Sequence, residues 1–201
     1  MKILAISCSP QKQGNTDTLL EEALKGAQQE GAETELYSVA GKTILPCDAC
    51  NTCWKAGGCH IQDDMQELYP KILQADGIIF GTPIYLYAMN GQAKTLMDRT
   101  YSLDHHQDAL ANKVGGVVVV AGSLGLLDAL KDFYFYFASM QMVPANFVAA
   151  YALKKGDAQK LEKCMLAAKN LGRQMVLIAN RKFEYPKEIE GSHNAYGTWV
   201  K

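Results

Sequence analysis

Eight consecutive residues, Val114-Gly115-Gly116-Val117-Val118-Val119-Val120-Ala121, carry no polar side chain at all. A run of this length rich in β-branched residues is a strand, and a strand apolar on both sides has to be covered on both faces. The same reading gives buried strands at Lys2–Ser7 and Ile78–Phe80 (broken by Gly81-Thr82-Pro83), a short second strand at Thr34–Tyr37 and a fifth at Phe147–Tyr151. Helical periodicity fills the intervals. One helix is capped by Asn15 or Thr16 and closed by Gly31, one is capped by Asp63-Asp64, and one runs through Leu96 to about Tyr101. Two more cover Leu126 to Met140 and Asp157 to Ala179. Apolar strands alternating with helices predict a three-layer α/β fold on a five-stranded parallel sheet. No repeat or linker divides residues 1–201, so one domain is expected. It carries a cysteine-rich loop at 45–62 and an irregular tail from about residue 180.

Composition narrows the setting. The chain is 48% hydrophobic and 20% charged with a net charge of −1, which leaves no basic footprint for nucleic acid and no polybasic membrane patch. The apolar run before Ser7 is too short for a signal peptide, and no run reaches the length of a membrane span. A cytoplasmic protein is expected, in which thiols stay reduced. Against that background, four of the six cysteines, Cys47, Cys50, Cys53 and Cys59, fall within thirteen residues. Packing alone gives cysteines no reason to cluster, so this window ligates, bridges or reacts.

Ligands of parallel α/β sheets bind beyond the carboxyl ends of the strands. Three loops lie there: 8–16, 82–91 and 122–125. The first ends at a helix N-terminus, where free N–H groups favour a phosphate. Ser9, Asn15 and Thr16 offer short polar side chains, and Gly14 admits a close backbone approach. Neither a dinucleotide nor a Walker fingerprint is met, and a capped turn without ligand is the alternative. The second loop, with Pro83, Ile84, Tyr85, Leu86 and Tyr87, is apolar and aromatic, which suits a flat hydrophobic ligand or a plain core loop.

The combination Ser7-Cys8-Ser9-Pro10…Gly14-Asn15-Thr16, Asp63-Asp64-Met65, Gly81-Thr82-Pro83-Ile84-Tyr85 and Gly91-Gln92-Ala93-Lys94…Asp98-Arg99 resembles the NADPH-dependent FMN reductase family of flavodoxin-like proteins. With the C-x2-C-x2-C-x5-C window added, it resembles the iron–sulfur flavoprotein branch. The resemblance covers about residues 2–125. It implies a flavodoxin-like strand order 2-1-3-4-5 and an FMN whose phosphate sits on Ser9, Asn15 and Thr16. The flavin ring is then expected against Pro83 to Tyr87 and against Gly122, Ser123 and Gly125. Gln11 stands where the family often has Arg, which leaves Lys12 as a candidate positive partner for the phosphate.

For the cysteines, a repeat of three residues lets Cys47, Cys50 and Cys53 wrap one face of a cubane, and Cys59 can swing over on Ala56-Gly57-Gly58. Ferredoxin runs share that start but send their last Cys to a second cluster. Here there is no second set, so all four would serve one 4Fe–4S centre. Zinc, disulfides and free redox thiols are the alternatives. Cys8 and Cys164 read as buried hydrophobes, and His60 and His105-His106 as exposed loop residues. Lys94, Asp98 and Arg99 read as anchors of their helix. Aromatics at Phe133 to Phe137 cover nearly every side of a helix, which predicts a subunit interface.

The expected function is an FMN- and 4Fe–4S-containing electron-transfer flavoprotein. The family implies a ferredoxin-like donor and a homodimer or homotetramer. Such a protein needs no side-chain acid or base, since the cofactors carry the chemistry. An NAD(P)H-dependent FMN or quinone reductase with a zinc-bound or cluster-free loop is one alternative. A flavin-free redox or metal-sensing module is another.

Overall fold

The computed structural model describes residues 1–103 and 109–181. The expected turn at His105-His106 and the tail beyond Arg181 lie outside the described residues. Alternation along each strand decides where the layers form. Ile3 and Ala5 of β1 (Lys2–Ser7) point one way, and Leu4 and Ile6 the other, all fully buried. The apolar run is β5 (Val114–Ala121), buried at all eight positions.

Two apolar clusters flank the sheet. On one side Ile3, Ala5, Ile79, Val118 and Val120 meet Leu19, Leu20 and Ala23 of α1 (Asn15–Gln29), and Leu171 and Met175 of α6 (Glu162–Asn180). On the other, Leu4, Ile6, Phe80, Val117 and Val119 meet α3 (Met65–Gln74), α4 (Gly91–Arg99) and α5 (Leu126–Ser139). Each fully buried Leu, Ile or Phe contributes about 1.5–3 kcal/mol, so these layers dominate stability. A Cβ on Gly26 would lie 1.9 Å from the Lys169 carbonyl oxygen, and one on Gly172 would lie 1.8 Å from that of Ala23. The crossing of α1 and α6 is therefore backbone against backbone.

The parallel order is β2-β1-β3-β5-β6, with β2 at Glu33–Ser38, β3 at Gly77–Tyr85 and β6 at Val143–Tyr151. Counting parallel strands alone, this is the flavodoxin-like order 2-1-3-4-5. Among the described residues, no helix is long and apolar enough to cross a membrane.

Several expectations are corrected. Gly81-Thr82-Pro83 does not break the third strand, which continues to Tyr85 and turns back antiparallel through β4 (Ala88–Met89). Leu86 and Tyr87, at φ 46° and 70°, make the turn. Pro83 is tolerated because β1 pairing ends at Gly81, leaving that stretch paired on the β5 side alone. Gly14, not Asn15 or Thr16, caps α1. The fifth parallel strand begins at Val143, and the last helix begins at Glu162 after a 3-10 turn at Ala158–Lys160. A one-turn helix, α2 (Cys53–Ala56), lies in the cysteine loop without a sequence signal.

The aromatic run of α5 is absorbed by the chain itself. Phe133, Tyr136 and Phe137 are buried against Phe80, and Tyr134 donates from its hydroxyl to the Ala145 carbonyl at 2.7 Å. Phe135 alone of the five is exposed. Intramolecular packing thus accounts for four of the five aromatics, and Phe135 is left at the surface.

Candidate cofactor sites

At the carboxyl ends of the strands, Ser9, Gln11, Asn15, Thr16, Pro83, Ile84, Tyr85, Leu86, Tyr87, Gly122 and Ser123 line one cavity of about 470 Å³. All three expected loops meet there. Leu124 of the expected 122–125 loop lines it too, whereas Val120 and a fourth wall, Ala152 and Leu153 after β6, lie outside the expected loops. The rule that ligands sit beyond strand ends applies equally to β6, and that is the signal that would have found the fourth wall.

The loop before α1 is held by a buried carboxylate. Asp17 accepts from the Ser7 hydroxyl and, at 2.7 Å, from the backbone N–H of Gln13, which is at φ 52°. Ser9 Oγ accepts from Gln11 N–H at 3.1 Å. The Asn15 side chain is fully engaged with the fourth wall. It donates to the carbonyls of Ala152 and Lys154, and its oxygen accepts from the N–H groups of Gly156 and Ala158. Its contribution to an anion is thus backbone N–H and wall placement. Lys12 and Gly14 do not line the cavity, and Lys155 Nζ donates to the Lys12 carbonyl at 3.1 Å. Gly125 does not line it either. It sits at φ 101° with a would-be Cβ 2.5 Å from Tyr87 Cα, so it lets the 122–125 loop close on the hairpin. Asn90, 1% exposed, fixes the base of the hairpin. Its amide donates to the Cys8 carbonyl at 2.7 Å, and its oxygen accepts from Thr82 and from Ala93 N–H.

The cavity combines a helix N-terminus with an apolar, aromatic wall on rigid strands. Its size and its polar–apolar division suit a phosphorylated flavin.

Cys47, Cys50, Cys53 and Cys59 line a second cavity, with Asp48, His60, Arg99, Tyr101 and Ser102 among its other walls. None of the four is in a disulfide. Cys47 and Cys50 are exposed, Cys59 is half-buried and Cys53 is buried, and burial pushes the Cys53 thiol above its ordinary pKa. The loop is turned by positive φ at Ala49 and Asn51. Gln66 ties its far end by donating to the carbonyls of Cys59 and Ile61. His60 is exposed as expected and pairs with Asp48 at 2.8 Å, and with Cys50 these two could gather a metal ion at the exposed rim. A cubane holds its four thiolates on separate irons, and a four-thiol donor set fits it.

Cys8 is fully buried, with its thiol pushed up to about 12 by that burial. It plays no part in the window.

Beneath the cysteines lies an ion pair. Arg99 Nη1 donates to Asp63 at 2.6 Å and Nη2 at 3.1 Å, with side chains 0% and 3% exposed. Nη1 also reaches the Leu45 carbonyl at 2.8 Å, and Asp63 accepts from Leu45 N–H at 2.8 Å and Met65 N–H at 3.0 Å. The two ends of the cysteine loop are thereby clasped together. Burial works against the charge on Arg99, but Asp63, Tyr69 and Cys59 outweigh it and its pKa is raised. Burial likewise opposes the Asp63 carboxylate, but Arg99 and the two N–H groups hold its pKa down. Arg99 Nε is buried without a hydrogen-bond partner. A buried donor left unpaired costs about 1–3 kcal/mol.

A doubly wound sheet with this cavity has flavodoxin-like architecture. The comparisons are specific. The NADPH-dependent FMN reductase family matches residues 1–154. Two iron–sulfur flavoproteins of Methanocaldococcus jannaschii are similar: one is 38% identical over 87% of this chain and 95% of its own, the other 34% over 95% and 100%. Among solved structures, the Trp repressor binding protein from Bacillus subtilis aligns over 84% of this chain and 99% of its own, with 26% identity and a TM-score of 0.65. The chain belongs to the NADPH-dependent FMN reductase family, in its iron–sulfur flavoprotein branch, and its function is flavin-dependent redox chemistry.

Proposed function

We propose that this protein passes electrons between a ferredoxin-like one-electron donor and an acceptor, through a 4Fe–4S centre on Cys47, Cys50, Cys53 and Cys59 and an FMN in the 470 Å³ cavity. The observation that carries the reading is that all four window cysteines line one cavity, in a chain that also carries a flavin cavity. When bound, the two cofactors supply one-electron and two-electron chemistry respectively. The protein's own part is to hold them. The loop before α1 receives the phosphate, the Pro83–Tyr87 hairpin presents an apolar face to the ring, and the Arg99–Asp63 clasp fixes the cysteine loop. A homodimer or homotetramer in the cytoplasm is part of this proposal.

The test is Cys53→Ala, purified without oxygen. Iron and sulfide should fall to near background while FMN stays stoichiometric. Loss of both cofactors together would mean that the sites are not separable and the reading is wrong. A second reading, direct NAD(P)H-dependent reduction of FMN or a quinone, is favoured by the family match. Stopped-flow reduction of the flavin separates the two: fast bleaching by reduced ferredoxin and slow bleaching by NADPH supports the first, and the reverse supports the second.

A further inference from the structure

The buried Arg99 has a role that its pairing with Asp63 does not use up. Asp63 and the Leu45 carbonyl take its two terminal nitrogens, while Nε–H, fully buried, has no partner. Buried polar groups are nearly always satisfied, and an orphaned charged donor in a core needs a reason. Arg99 is also a wall of the cavity that the four cysteines share. Its guanidinium feels the charge of Cys59, and the side chain is 0% exposed, so no water competes for the free N–H. What such a donor lacks is an anionic acceptor at the cysteine site. Thiolates and the sulfides of an iron–sulfur centre are acceptors of that kind, and hydrogen bonds to them are one of the means by which proteins set cluster potential.

We infer that Arg99 donates its Nε–H to a sulfur of the iron–sulfur centre. It thereby completes its own hydrogen bonding and raises the centre's reduction potential. This rests on the cluster reading of the cysteine window and deepens it by giving Arg99 a positioning and tuning role. Asp63 is then the orienting partner: by gripping both terminal nitrogens it leaves Nε as the nitrogen without a partner. A one-electron reduction makes the centre more negative, so a positive donor beside it stabilises the reduced form more than the oxidised one. The electron comes from the titrant, dithionite, and no proton moves. Lysine at the same position would keep a charge but could not grip Asp63 in bidentate fashion while presenting a second donor.

Two measurements test this. In the first, wild-type protein labelled with 15N-arginine is reduced by dithionite without oxygen, and the cluster signal is read by pulsed electron paramagnetic resonance. A resolved 15N coupling is expected. Arg173 pairs with Glu30 on the far helices and Arg181 ends α6, so Arg99 is the arginine that lines the cysteine cavity. In the second, Arg99→Lys is titrated potentiometrically. Its midpoint should move to more negative potential, and iron should be held about tenfold or more less tightly against a chelator, with FMN content unchanged. A wild-type cluster with no 15N coupling, or a variant with unchanged midpoint and iron retention, overturns the inference and leaves the cluster reading standing. Wild-type protein that binds no iron and sulfide overturns both.

Discussion

At the scale of single residues, the sequence points to the residues that line the two cavities but not to what holds them. The cysteine spacing already implies a common centre, and Ser9, Thr16 and the Pro83–Tyr87 stretch already imply a phosphorylated flat ligand. Asn15 is legible as a site residue, but its part is not. Its side chain is consumed by four hydrogen bonds to a segment more than 130 positions away, and no local pattern encodes such a bond. Arg99 is similar. Its anchoring role was readable, while its burial under the cysteines needed the tertiary fold. Gly125 gives the sharpest residue-level prediction. At φ 101°, with Tyr87 Cα 2.5 Å from a would-be Cβ, Gly125→Ala combines left-handed strain of about 1–2 kcal/mol with a steric push on the hairpin. FMN affinity should fall about tenfold or more, read by flavin fluorescence on titration of apoprotein. Unchanged affinity would mean that the loop does not seat the hairpin.

Among elements, the apolar strands were readable because two-sided burial leaves no polar positions, and their order followed from the family pattern. The hairpin after β3 was not readable. Gly81 and Pro83 are strand breakers in general, and only the early end of β1 makes a place where they are tolerated. The neck of the cysteine loop is an element-scale feature too. Asp63→Asn leaves the Arg99 charge buried against a neutral amide, and breaking such a pair costs about 3–5 kcal/mol. Denaturant unfolding should show that loss. The sign with pH is fixed by the depressed Asp63 pKa: its stabilisation is complete above the ordinary value of 3.8 and is lost as pH falls through the lower folded value. Acid unfolding below about pH 4 should therefore be less steep in Asp63→Asn than in the wild type. At the α1–α6 crossing, Gly172→Ala drives a methyl into the Ala23 carbonyl. A loss of about 1–3 kcal/mol is expected, seen as a lower melting temperature with the visible spectrum unchanged. A wild-type melting temperature would show that the helices are not in backbone contact.

For the whole molecule, the doubly wound order sets one cavity at the strand ends and leaves the β2–α3 connection free to carry a cysteine loop at its flank. The flavin cavity and the cysteine window thus lie on different parts of one frame, and the account expects loss of one cofactor to leave the other in place. The central claim is that the window cysteines hold a single iron–sulfur centre in a flavoprotein. Its most direct test is the iron, sulfide, zinc and flavin content of the protein purified without oxygen. The account predicts about four iron and four sulfide with one FMN per chain, and no zinc. Stoichiometric zinc without sulfide would contradict it.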